Sequence, residues 1–147
     1  MQNEQMFELI DKISFFDCFT EEEKKFLSSR ENQIRKHQPS DFIIKEGEID
    51  YSFFIILKGV VRVVKNAPTE KTITKLKAGS VFGEIACVAN RPRTTSVIAD
   101  GDVIIMQIQT KDINSLSQTI PHKLKDKLIE ILANRLETMN NRSVRNI

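Results

Sequence analysis

The sequence is poor in the residues that build metal centres and covalent staples. Two cysteines and two histidines occur in 147 residues. Cys18 and Cys87 lie far apart and form neither a CxxC pair nor a metal-type spacing, so they read as buried small apolar groups in a reducing compartment. His37 and His122 have no strand-borne neighbours at ligand spacing, which argues against a metal-dependent enzyme built on clustered histidines and carboxylates. No metal, no cofactor and no catalytic set is expected. No apolar run approaches the ~20 residues that span a bilayer, and the start MQNEQMFELIDK is acidic and polar where a secretory leader is basic and then apolar. A cytoplasmic protein without a membrane partner is the expectation. Twenty-two basic residues against twenty acidic ones leave a formal charge of +2, too little to argue direct DNA binding. Internal repeats and low-complexity segments are also missing, and the length fits one domain covering 1–147, long enough to bury about two thirds of its unfolded surface.

What is there falls into three textures. Residues 5–30 read as helices: MFELIDKI sets Met6, Leu9, Ile10 and Ile13 on one face, and Thr20 with Glu23 forms a capping box before KKFLSSR. From about 40 to 109 the chain turns to short runs rich in Val, Ile, Phe and Thr, broken at intervals of about ten residues by Gly, Asn, Pro or Asp. FIIKE, YSFFIIL, VVRVVK, KTITKL, TSVIA and VIIMQIQ are the expected strands. EGEID makes a turn with Gly47 at positive φ, Lys58-Gly59 a corner, Asn66 to Thr69 a reversal, and Asp100-Gly101-Asp102 a hairpin. Residues 110–141 return to helix, where HKLKDKLIEILANRLETM places Leu124, Leu128, Ile131, Leu132 and Leu136 on one stripe. The fold class is mainly β, an antiparallel jelly roll or barrel with flanking helices.

The informative stretch is FGEIACVANRPRT, residues 82–94. Val81 and Phe82 continue a strand, Gly83 permits a sharp corner, and EIACVA is long enough for one or two helical turns before Asn90 and Pro92 stop it. The first N–H groups of that short helix have no internal partners and carry the positive end of its dipole. Arg93, preorganised by the fixed φ of Pro92, can return to the same anion with a two-pronged contact. A carboxylate beside a phosphate would repel it, so Glu84 is suited to accept hydrogen bonds from a hydroxyl. A ribose bearing a phosphate meets both demands. The competing reading is a capped helix in which Glu84 and Arg93 pair with each other at the surface, for about 0 to 1 kcal/mol.

The run GSVFGEIACVANRPRTTSVIA resembles the phosphate-binding cassette of cyclic-nucleotide-binding domains, the module shared by kinase regulatory subunits, nucleotide-gated channels and bacterial catabolite-activator-type regulators. EGEIDYSFFIILKGVVRV is similar to an earlier stretch of that family, with Gly47 and Gly59 at its turn glycines. The resemblance extends from about Phe15 to Met139. It implies that Glu84 holds the ribose 2′-hydroxyl, that Arg93 holds the cyclic phosphate, and that backbone N–H groups of Gly83, Ile85, Ala86 and Thr94 complete the cradle. Thr94-Thr95 is the small pair that follows the phosphate arginine, Thr95 being bulkier than the usual Ala, and Arg91 is a solvated bystander. Ile73, Val81 and Val97 are the candidates for contact with the base, each with plain core as the alternative. The resemblance implies cAMP as ligand, with cGMP second because the Thr94 hydroxyl can meet a guanine.

In this family the helix after the barrel closes over the base, which here is Pro121 to Met139. The residues beyond it are too few for a helix-turn-helix. The expectation is a stand-alone cyclic-nucleotide sensor, or a separated fragment, that couples binding to movement of its C-terminal helix. An unidentified effector protein or self-association would receive the signal. The alternative is a nucleotide-free interaction scaffold of the same fold.

Overall fold

The computed structural model describes residues 2–30, 33–65, 70–116 and 119–145. The chain divides into two compact units, Met1–Ile113 and Asn114–Ile147.

The first unit opens with helix α1 (Gln2–Asp11), a 3-10 turn (Ser14–Phe16) and helix α2 (Glu21–Ser28). Met6, Ile10 and Ile13 are buried, as their helical spacing predicts. Both halves of the capping box form. The Glu23 N–H donates to Thr20 Oγ1 at 3.1 Å and the Thr20 N–H donates to Glu23 Oε1 at 2.7 Å, satisfying two backbone donors that the helix itself cannot. Cys18 is exposed rather than buried. It sits in the turn that carries Phe16 and Phe19 inward, and that turn leaves both residues between them, Asp17 and Cys18, facing solvent. The Cys87 side chain lies outside the described residues.

Eight strands follow: β1 (Ile34–His37), β2 (Phe42–Ile44), β3 (Ser52–Lys58), β4 (Val60–Lys65), β5 (Lys71–Lys77), β6 (Val81–Phe82), β7 (Ser96–Ala99) and β8 (Val103–Gln109). They form two four-stranded antiparallel sheets in the orders β1-β8-β3-β6 and β2-β7-β4-β5. This alternation of sheets along the chain is a jelly roll. Between the sheets, Ile44, Val61, Val97 and Ala99 meet Phe54, Ile56, Phe82, Val103 and Ile105 in one buried cluster. Strand β3 is buried from Ser52 to Leu57, because one face meets the opposite sheet while α1 and helix α3 (Glu84–Ala89) pack near it. Such a strand reads as a continuous apolar run instead of alternating.

Two sequence expectations change. The barrel starts at Ile34, not near residue 40: IRKH holds a single apolar residue and gives no strand signal, yet it pairs with β8 from Ile34↔Met106 to His37↔Val103. Asp100-Gly101-Asp102 does not close a hairpin, since β7 and β8 belong to different sheets and the turn carries the chain between them. The Lys58-Gly59 corner makes the same kind of crossing from β3 to β4. Gly59 has φ 98°, and a Cβ there would lie 2.5 Å from the Asp102 carbonyl oxygen, so only glycine lets the two crossings pass each other. The reversal expected at Asn66 to Thr69 lies outside the described residues; the strands it joins, β4 and β5, pair over their full length.

Among the described residues strand β5 is an edge strand, paired with β4 alone. Leu76 is its one partly buried residue, and Lys71, Lys75 and Lys77 line the rest. Lysines on an open edge disfavour pairing with another chain.

In the second unit, helix α4 (Ile120–Arg145) is the principal element. Leu124 and Leu128 are buried and Leu136 is exposed, as are Ile129 and Met139; Ile131 and Leu132 are half-buried. The expected stripe is therefore covered only toward its N-terminal end. Among the described residues no helix is long and apolar enough to cross a membrane.

Candidate functional site

Gly83 is the N-cap of α3 and adopts φ 80° and ψ 4°, a left-handed conformation that turns the chain from β6 into the helix. Asn90 closes the other end, also left-handed, at φ 50°, a conformation that Asn tolerates better than most residues. The six-residue helix between them begins with Glu84, which is 1% exposed, and Ala86 is also buried while Ile85 is exposed.

Arg93 returns to this corner from ten residues downstream. Its Nη1 donates to the Gly83 carbonyl at 2.9 Å, and its Nη2 donates to the Ser52 carbonyl at 2.6 Å and to Asp50 Oδ2 at 3.2 Å. The guanidinium lies 5.7 Å from the centre of the Phe54 ring, which in turn stacks on Phe82 at 4.9 Å and 10°. The phenylalanine, glycine and arginine of the sequence motif thus converge on Phe54. A Cβ on Gly83 would approach Arg93 Nη1 and Phe54 Cδ1, each at 3.0 Å. Glycine is needed both for the backbone turn and for the room it leaves the guanidinium.

Arg93 is 6% exposed. Its Nε is shut off from solvent and has no hydrogen-bond partner. Burying a guanidinium is costly unless its donors are satisfied, and this one donor is left without an acceptor from the protein itself. Two backbone bonds fix the approach of this residue: Gly47 N–H donates to the Arg93 carbonyl at 2.7 Å, and Arg93 N–H donates to the Glu48 carbonyl at 2.8 Å. The EGEID turn, with Gly47 at φ 89°, therefore holds the arginine's backbone in place.

The remaining expected site residues divide. Gly83, Glu84, Ile85, Ala86 and Arg93 form one locale. Thr94 is exposed and Thr95 half-buried just beyond it, while Arg91 is exposed. Val81 is buried on β6 opposite Ile55. Val97 is buried in the cluster between the sheets. Ile73 is 56% exposed and is the unpaired residue of a β-bulge, since Val63 pairs with Thr74 and Val64 with Thr72. On that strand it is Leu76 that packs against the core cluster. Asp50, Ser52, Phe54 and Lys65, whose Nζ donates to the Thr94 carbonyl at 2.9 Å, surround the cassette without having been read from the sequence. Each lies 29 to 43 residues from its partner, beyond the reach of local spacing. A separate cavity of about 500 Å³ adjoins Asp50 and Asn90, and none of the expected site residues lines it. Among the described residues no cluster of His, Cys, Asp or Glu could hold a metal ion.

Residues 34–119 match the cyclic nucleotide-binding domain family. Over 108 residues the chain is 36% identical to the human cyclic nucleotide-gated channel beta-1, covering 71% of this chain and 8% of the channel. The first curated relatives it matches are much longer, the matched part being 8% to 17% of their length. Among solved structures, a cyclic nucleotide-binding domain from Methylobacillus flagellatus superposes with a TM-score of 0.73 at 22% identity, covering 99% of this chain and 84% of that one. The regulatory domain of Toxoplasma gondii PKA, crystallised with cAMP, gives a TM-score of 0.65 at 21% identity, covering 88% of this chain and 50% of that one. These two likenesses concern the fold.

Proposed function

Since the chain belongs to the cyclic nucleotide-binding domain family, we propose that it is a cyclic-nucleotide sensor, with cAMP as its ligand and cGMP as the second choice, and that it binds rather than catalyses. The observation that carries this reading is the buried Arg93 guanidinium at the mouth of α3, with Nε left without a partner. In the bound state Arg93 takes the cyclic phosphate, supported by the N–H groups of Gly83, Ile85, Ala86 and Thr94. Neutral amides and one guanidinium suit a singly charged phosphodiester.

Glu84 accepts the ribose 2′-hydroxyl. That contact would discriminate against a deoxyribose, because a buried carboxylate that loses its donor is penalised beyond the bond itself. For the base, Leu76 takes the part first assigned to Ile73, while Val81 and Val97, both buried, back that wall from the core, and Thr95 borders the phosphate. The Thr94 hydroxyl contributes one neutral hydrogen bond to base choice. Such a bond is worth about 0.5 to 1.5 kcal/mol, tenfold at most, which is why cGMP stays close behind cAMP.

Helix α4 is the element assigned to carry the signal, to an effector protein or a second copy. The ligand shifts it only by the difference in affinity between the two states. A thermal-shift series with cAMP, cGMP and AMP tests the proposal. At a hundredfold excess over Kd, binding adds about 2.7 kcal/mol and raises the melting temperature by roughly 5 to 10 °C. The expected result is a rise with the cyclic nucleotides and none with AMP. Equal melting curves with all three reject the sensor in favour of a scaffold.

A further inference from the structure

The last residue of β4, Lys65, is tied to the segment that leaves the phosphate arginine. Its Nζ donates to the Thr94 carbonyl at 2.9 Å, across 29 residues of sequence. The same ammonium lies 3.5 Å from Glu46 Oε1. That oxygen is shut off from solvent and makes no hydrogen bond, so the ammonium is its ionic partner. Glu46 is itself anchored, because its N–H donates to Ser96 Oγ at 2.9 Å, and Ser96 is 1% exposed. Together with the two backbone bonds between Arg93 and the Gly47–Glu48 turn, these contacts close a ring: Glu46 to Lys65, Lys65 to Thr94, and Ser96 back to Glu46.

We propose that Lys65 is a positioning residue for ligand binding: it clamps the Thr94 carbonyl so that the path from Arg93 to Thr95 is set before the phosphate arrives, with Glu46 holding the ammonium in place. This rests on the reading that Arg93 and Thr94 bind the phosphate. A carbonyl that is fixed orients its peptide plane, and fixing it in the free protein removes an ordering cost from the binding step. The bond also has a charged donor, which makes it stronger than a neutral one.

The test uses the full chain with Lys65→Met, Lys65→Arg and Glu46→Gln, and cAMP and cGMP as probes in titration calorimetry at 0.05 and 0.5 M salt. Lys65→Met keeps the aliphatic stem and removes the donor, and the expected result is an affinity loss of about fivefold to tenfold at both salt concentrations. Lys65→Arg, which keeps a donor, should come within about threefold of wild type, and Glu46→Gln should fall between the two. Amide hydrogen exchange on the free proteins provides the second reading: in Lys65→Met, Thr94 to Ser96 should exchange faster while β3 and β8 do not change. Two results overturn the clamp. One is unchanged affinity in Lys65→Met while wild type binds. The other is a loss that vanishes at high salt, the mark of a screened charge acting at a distance. If wild type binds neither nucleotide, the reading on which the clamp rests has failed, and that outcome is distinct from both.

Discussion

Arg93 and Asp50 are 43 residues apart in sequence and joined by a 3.2 Å bond between Nη2 and Oδ2. The arginine side chain is 4% exposed and the aspartate 34%, so the pair spans the boundary between interior and solvent. Asp50 has a second duty, since its Oδ1 accepts from both the N–H and the hydroxyl of Ser52. One carboxylate thus fixes the start of β3 and the arginine assigned to the phosphate. Asp50→Asn should lower the unfolding free energy by about 1 to 3 kcal/mol by leaving a buried cation less well satisfied, as read in urea denaturation. An unchanged midpoint would show that Ser52 and Gly83 suffice.

Replacing the guanidinium itself tests its part in binding, in a chain first shown by its melting curve to be folded. Arg93→Ala should weaken cAMP binding roughly 25-fold or more, the equivalent of about 2 kcal/mol at the low end for a desolvated charged contact. Calorimetry that finds affinity within threefold of wild type would remove Arg93 from the site.

Gly83→Ala should damage both properties. The left-handed backbone at φ 80° costs a non-glycine residue about 1 to 2 kcal/mol, and the new methyl would press on Arg93 Nη1 and the Phe54 ring. The expected signature is a lower melting temperature together with weaker nucleotide binding. A stable variant with native affinity would contradict the packing described around Phe54.

The capping box offers a control away from the site. Thr20→Ala should cost about 0.5 to 2 kcal/mol of stability and leave nucleotide affinity unchanged, as measured by denaturation and calorimetry on one preparation. A loss of affinity there would mean that α2 participates in binding.

His37 supplies the pH dependence. Burial holds its imidazole below the usual 6.5, a tendency that Asp41 opposes and Arg35 reinforces. Because the folded value is depressed, the unfolded chain takes up the proton first as the pH falls, so stability declines between about 6.5 and the folded value and is flat above. Melting curves of wild type and His37→Gln from pH 8 to pH 5 should show a smaller decline for the variant. Parallel curves would exclude His37 as the cause.

Much of this architecture could be read from residues alone, for identifiable reasons. VVRVVK and VIIMQIQ became strands over the residues expected, because dense β-branched runs have few other ways to bury their side chains. The Thr20–Glu23 box is a local device whose partners lie three residues apart, and the left-handed turn at Gly83 belongs to its own backbone. What escaped was non-local. IRKH became a strand only because the edge of β8 was available, and the two turns that cross between sheets look locally like hairpins. The site shows the same division. Within the candidate site, Gly83, Glu84 and Arg93 are close enough in sequence to be proposed from it, whereas Asp50, Ser52, Phe54 and Lys65 are brought in by the jelly-roll topology.

The closures of α3 at Gly83 and Asn90 limit how this small element can respond to anything that settles against it. A right-handed coil cannot grow through a left-handed residue without rewinding it, so lengthening at either terminus is blocked. Its six residues are thus bounded at both ends, and the segment can tilt or shift as a piece more readily than it can lengthen. Under the proposed function, a signal carried through this segment would travel as displacement more readily than as added helix.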